Sequence, residues 1–167
     1  MICTQILGSA KEMDLTGKRI VTLEMDCTDA YKKIQRRTAD NGEEVGIRMG
    51  DEVTKKGICD GAVLYLDDEK ALLVRIKESE AIYVTIEDRS PDTLLRAGYE
   101  IGNRHAQLYY GERPFEIVTP MDEPILRMLD HISGLSAQRC LYRLDPAKRI
   151  FSAVHHHHGA SPDGHAE

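Results

Sequence analysis

The hydrophobic period of this chain changes once, at the charged stretch Lys77-Glu78-Ser79-Glu80, and that change limits the available folds more than any other feature. Upstream, apolar residues recur at every second position in short runs. These are Met1 to Leu7, Arg19 to Asp26 with Val21, Leu23 and Met25 alternating against polar partners, and a weaker run from Tyr31 to Thr38. Val45, Ile47 and Met49 follow, then Ala62 to Leu66 and Ala71 to Ile76. Successive side chains of a strand point to opposite faces, so this period belongs to half-buried strands. Asn41-Gly42 would supply the two positive-φ residues of a tight hairpin, and Asp67-Asp68 a further turn. Five or six short strands with no convincing helix predict a small β-sandwich or open barrel over residues 1–77.

Downstream, strands alternate with helices. Ile82, Val84 and Ile86 read as a strand. Leu94, Gly98, Ile101 and His105 then follow at spacings of four, three and four, one face of a helix that opens at Ser90 as N-cap with Pro91 and Asp92 in its first turn. Leu108 to Tyr110 and Pro114 to Thr119 are strands flanking a Gly111-Glu112 turn. A second helix starts near Asp122 and Pro124, buries Ile125, Met128, Leu129 and Ile132, and stops at Gly134. Arg139 to Leu144 is the last strand. The order β-α-β-β-α-β over residues 78–151 is that of a ferredoxin-like unit, which makes the chain α+β and names no function. From Ser152 the composition cannot bury a core, and residues 152–167 read as a disordered, His-rich tail.

Composition removes several classes of function. A net charge of -6 and a pI near 5.7, with no basic stripe interleaved with aromatics, argue against a nucleic-acid partner. The longest apolar runs, Ala62 to Leu66 and Ala71 to Val74, fall far short of the ~20 residues of a membrane span. The first residues lack a basic region followed by an apolar core, so a cytoplasmic chain is expected. Cys3, Cys27, Cys59 and Cys140 lie far apart without a C-x-x-C pair, which points to buried small hydrophobes rather than a zinc knuckle or disulfide framework.

The chemistry left to the chain is that of imidazole. Five of the seven histidines, His155, His156, His157, His158 and His165, lie in the tail, and neutral imidazole is a common ligand for nickel, copper and zinc. An appended affinity tag is the plain alternative; four histidines rather than a longer run, the separate His165, and trailing acidic and small residues favour a native tail. His105 stands alone, and a single histidine ending an apolar stripe is more often a core or interface residue than a ligand. His131, beside the stripe of the second helix, suits the negative end of that helix. Asp122, Glu123 and Asp130 gather around the same helix, but the first two are also what a helix N-terminus prefers. There is no G-x-S-x-G, no P-loop, and Gly102 alone is not a dinucleotide fingerprint.

Gly102-Asn103-Arg104-His105 before an apolar strand, a Gly-Glu turn, a helix opened by Asp122 and a His-rich C-terminus together resemble the UreE family of urease accessory proteins, the nickel metallochaperones of urease maturation. Arg37-Thr38-Ala39-Asp40-Asn41-Gly42-Glu43-Glu44-Val45-Gly46-Ile47 and Asp60-Gly61-Ala62-Val63-Leu64-Tyr65 are similar to that family's first domain, so the resemblance spans the chain. It implies a homodimer joined through the second domains, a peptide-binding-like β domain at each end, and Ni(II) as cargo where two copies of the motif histidine meet. That histidine maps onto His105, and the tail histidines would complete the coordination. The implied partners are the urease accessory GTPase and the urease pre-activation complex, and Zn(II) or Cu(II) would bind as well. Some members carry further histidines before the second helix, where this chain has Thr119-Pro120-Met121-Asp122-Glu123. The competing reading is a metal-dependent hydrolase using His105 and carboxylates such as Asp122, and a third makes the first domain a peptide-docking module. A hydrolytic metal site needs about three preorganised protein ligands and an activated water.

Overall fold

The structure, a computed structural model, describes residues 1–151. The N-terminal half contains β1 (Ile2–Cys3), β2 (Gly8–Ser9), β3 (Arg19–Met25), β4 (Ile34–Thr38), β5 (Glu44–Arg48), a short helix α1 (Glu52–Lys56), β6 (Ala62–Leu66) and β7 (Lys70–Ile76). They form two sheets, ordered β1-β5-β4 and β2-β6-β7-β3. The alternation explains the sandwich: Val21, Leu23 and Met25 of β3 point inward with Leu72, Val74 and Ile76 of β7, and meet Val45 and Ile47 from the other sheet in one core. Each such buried side chain contributes about 1.5–3 kcal/mol relative to an exposed one.

Four expectations for this half are corrected. Met1 to Leu7 is not one strand: β1 pairs parallel with β5 and β2 antiparallel with β6, so the chain crosses from one sheet to the other between them. Only Gly42 of the Asn41-Gly42 pair has positive φ, at 84°. The turn is closed instead by Gly42 N–H to the Ala39 carbonyl and Ala39 N–H to the Glu43 carbonyl, a wider loop with one left-handed residue. The run from Tyr31 begins as a 3-10 turn, Asp29–Tyr31, and is strand only from Ile34. A helix is present after all in α1, which buries one residue, Val53, and so carries no readable apolar period.

The C-terminal half contains β8 (Glu78–Ile86), α2 (Pro91–Asn103), β9 (Leu108–Tyr110), β10 (Glu116–Pro120), α3 (Glu123–Leu129), β11 (Leu135–Arg143) and the edge strand β12 (Arg149–Ile150). The sheet order is β11-β8-β10-β9-β12 with every pairing antiparallel, so the first four strands have the ferredoxin-like arrangement expected and β12 extends it. Ser90 caps α2 by accepting from the Thr93 N–H, with Pro91 at the first helical position. Asp122 does the same for α3 through the Ile125 N–H, at 2.9 Å. Helix α3 ends at Leu129, short of Gly134, and β11 begins at Leu135, four residues before the expected Arg139.

One face of this sheet is covered by α2 and α3 through Ile82, Val84, Ile86, Ala97, Ile101, Ile117, Ile125 and Leu129. On its other face Ala81, Tyr109, Val118 and Leu144 form a second core, against which Cys27 of the N-terminal half packs. The halves are further tied by Asp60 N–H donating to Asp145 Oδ1 at 3.0 Å. Gly57, at φ 73°, lies where a Cβ would come within 2.7 Å of Pro146, so this close approach requires glycine. No helix among the described residues is long and apolar enough to cross a membrane.

Candidate metal centre

Helix α2 stops where Gly102-Asn103 weakens it, and the last turn tightens: Arg104 N–H reaches the Ile101 carbonyl and His105 N–H the Gly102 carbonyl at 2.9 Å. The Arg104 guanidinium folds back onto the Glu100 carbonyl at 2.9 Å and the Glu100 carboxylate at 2.8 Å, satisfying a helix-end acceptor. His105 therefore lies beyond the helix rather than on its stripe. It is exposed, with φ at 56°. Glycine is the usual occupant of that left-handed position after a helix, and a side-chain-bearing residue there costs about 1–2 kcal/mol. His105 is thus exposed and lies outside the core that Leu94 and Ile101 join, and among the described residues no hydrogen bond to its ring occurs.

A surface cleft of about 490 Å³ opens beside it, between Arg104, Ala106 and Gln107 on one side and Pro120, Met121 and Asp122 on the other. None of the last three offers a free ligating side chain: that of Pro120 has no ligating atom, Met121 packs against the helix-covered core, and Asp122 caps α3. Glu123 is held in an ion pair with Arg139. His131 sits just past α3, where its Nδ1 meets the Arg127 carbonyl at 2.6 Å, the C-terminal placement expected of it. The four cysteines are free, Cys3 buried and the others half-buried; burial pushes all four thiols up from their ordinary range, away from the thiolate that binds metals.

Among the described residues no three His, Cys, Asp or Glu side chains gather into a metal-holding group. Among the described residues, then, His105 and Asp122 are not joined by the further ligands a hydrolytic metal site needs. His155, His156, His157, His158 and His165 lie outside the described residues. One feature escaped the sequence reading altogether: Leu95 and Tyr99, four apart on the outer face of α2, are 72% and 66% exposed. A second apolar pair at helical spacing, opposite the buried stripe, was its only signal.

Two family models cover nearly the whole chain: the UreE urease accessory protein N-terminal domain over residues 3–77 and the UreE urease accessory protein C-terminal domain over residues 80–167. The chain belongs to the UreE family. The urease accessory protein UreE of Helicobacter pylori (strain P12) is similar at 30% identity over 156 residues, covering 93% of this chain and 89% of the relative. Those of Helicobacter acinonychis (strain Sheeba) and Helicobacter bizzozeronii match at the same identity over the same share of this chain, covering 89% and 86% of their own lengths. UreE proteins are accessory to urease, so the role of this chain lies in urease maturation, and the two matched domains meet where the hydrophobic period changes.

Proposed function

We propose that this chain is a cytoplasmic Ni(II) metallochaperone that works as a homodimer, holding one exchangeable ion between the His105 imidazoles of two subunits and passing it to the urease accessory GTPase and the urease pre-activation complex. The observation that carries this reading is the placement of His105, strained into an exposed position at the end of a helix whose outer face leaves Leu95 and Tyr99 bare. A single imidazole is a poor site, whereas a twofold axis brings two identical ones to one ion. Apolar side chains at the same helix are what such an interface would bury. In this reading residues 1–77 are the β-rich, peptide-binding-like end, 78–151 the metal-binding and dimerising half, and 152–167 the ligand-bearing tail.

The register of the last strand supports a role for that tail. β12 runs antiparallel to β9 and pairs Arg149 with Tyr109 and Ile150 with Leu108, so the chain reaches Phe151 while heading back toward Gln107 and His105. His155 follows four residues later, a span of at most ~14 Å. Tail imidazoles can therefore close coordination positions left open by the His105 pair, giving a site that holds Ni(II) and still releases it. Imidazole prefers Cu(II) over Ni(II), so Cu(II) and Zn(II) bind too, and nickel use follows from supply and partners. No bond-making step is assigned to the chain.

The test is Ni(II) titration by calorimetry of the wild type and His105→Ala. Loss of the tight site, with the dimer and melting temperature retained, is expected. An unchanged tight-site affinity would remove His105 from the centre.

A further inference from the structure

Thr119 places a hydroxyl where the pattern of its strand calls for a hydrocarbon. β10 alternates, with Val118 in the core on one face of the sheet and Ile117 in the helix-covered core on the other, so Thr119 shares the helix-covered face with Ile117. Its side chain is fully buried. Burying a hydroxyl is costly unless it is hydrogen-bonded, and this one has a partner: it donates to the Gln107 carbonyl at 2.8 Å. The ladder between β9 and β10 has its last rung at Tyr109 and Val118, and Gln107 lies past it. The hydroxyl therefore continues the attachment of the two strands beyond the ladder, into the segment that carries His105.

That segment needs fastening. His105 sits at φ 56°, and a side-chain-bearing residue in the left-handed region persists only where the surrounding structure over-determines it. On one side the fastening is the helix end, where His105 N–H reaches the Gly102 carbonyl at 2.9 Å. On the other it is the Thr119 bond, two residues further along the chain. The same bond ties together the walls of the cleft beside His105, Ala106 and Gln107 on one and Pro120 and Met121 on the other. We infer that Thr119 is a positioning residue for Ni(II) binding: its hydroxyl pins the backbone that follows His105 and so keeps that residue in the conformation that presents its imidazole to a second copy. This rests on the role of His105 in the function proposed above. Groups that orient a ligand without touching the metal change affinity by roughly 10- to 100-fold when they are removed.

The experiment uses the full-length protein and two readouts: calorimetric titration with Ni(II) and, in the metal-free protein, hydrogen exchange of the His105 backbone amide. Thr119→Val exchanges the hydroxyl for a methyl group and removes the donor. It is expected to weaken the tight site about tenfold and to speed exchange at His105, with the dimer retained in sedimentation. Thr119→Ser, which keeps the hydroxyl, is expected to restore both readouts. Tyr109→Phe is the control. It deletes another buried hydroxyl that donates to the same residue, at Gln107 Oε1 and 2.7 Å, but leaves the backbone pin in place, so Ni(II) affinity is expected to stay at the wild-type value. If His105→Ala leaves the tight site unchanged, the function proposed for His105 falls, and the inference with it. If His105→Ala abolishes the site but Thr119→Val neither weakens it nor speeds exchange, His105 binds the ion and the positioning role is wrong. Equal weakening by Thr119→Ser or Tyr109→Phe would make the effect one of packing alone, and a monomeric Thr119→Val would assign the hydroxyl to subunit association; either result overturns the inference.

Discussion

Around the Asp29–Tyr31 turn the N-terminal half closes its polar groups on one another. Asp29 is held by Lys32 at 2.6 Å and by Arg37, while Gln35 donates to the carbonyls of Asp29 and Lys32. Glu43 takes Lys70 at 2.6 Å, and Glu44 takes Arg36 and the Thr38 hydroxyl, both at 2.7 Å. The outer face of α2 is the opposite case, with Leu95 and Tyr99 bare and His105 held outward. A surface whose charges are answered within the chain gains nothing from a second copy. The apolar side chains that this helix leaves bare are what a second copy would cover in the function proposed above.

The largest expected effect comes from spoiling that uncovered face. Leu95→Glu with Tyr99→Glu is expected to weaken dimerisation by about 100-fold or more, the scale of losing a pair of central apolar contacts. Sedimentation would show a monomer, and tight Ni(II) binding would go with the dimer although His105 is untouched. Persistence of the dimer would mean that another surface joins the subunits.

A smaller effect, confined to the other region, follows from Asp29→Ala. Removing a largely covered carboxylate that answers Lys32, Arg37 and the turn is expected to cost about 1–2 kcal/mol in urea unfolding. Ni(II) affinity should not change. A loss of affinity would show that the metal centre is coupled to this turn.

Acidification separates the regions further. Imidazole must lose its proton to ligate, and imidazoles in general titrate near pH ~6.5, so Ni(II) affinity is expected to fall steeply below about that pH. The fold should outlast it. The Lys32 and Arg37 partners hold the Asp29 carboxyl below its ordinary value, Lys70 does so for Glu43, Thr38 and Arg36 for Glu44, and Lys33 for Asp51. Groups whose folded values are depressed bind more protons when unfolded. Their stabilisation is full above the ordinary carboxylate range near pH ~4 and is lost as pH falls through the lower folded values. Far-ultraviolet circular dichroism at pH ~5 should therefore report an intact fold that binds metal poorly; constant binding down to that pH would point to carboxylate ligands.

The smallest effect belongs to the hairpin loop. Gly42→Ala places a Cβ at φ 84° with open space around it, so only backbone strain is added, about 1 kcal/mol. Thermal unfolding would register it, and neither dimer nor metal binding should.

What could be read in advance follows the physics of each element. β3, β7 and β8 are long enough for alternation to appear, and α2 and α3 open with Ser90-Pro91 and Asp122, whose capping bonds the structure contains. The two-residue strands β1, β2 and β12 are too short for any period, and only their partners define them. His105 was assigned to the helix stripe because counting in steps of three and four does not register where a helix stops. Gly102-Asn103 was the local sign that it does. No pattern internal to the chain distinguishes His105 as a ligand, since in the function proposed above the second imidazole would come from another copy, and only the likeness to UreE proteins points to it.

A crystal structure of the full-length protein grown with Ni(II), with anomalous scattering recorded at the nickel edge, would locate the ion itself. One ion on a twofold axis, bound by the imidazole of His105 from each subunit and flanked by the Leu95 and Tyr99 faces, is the expected result. An ion held within a single chain away from His105, or a dimer that buries another surface and keeps the two His105 side chains apart, would contradict it.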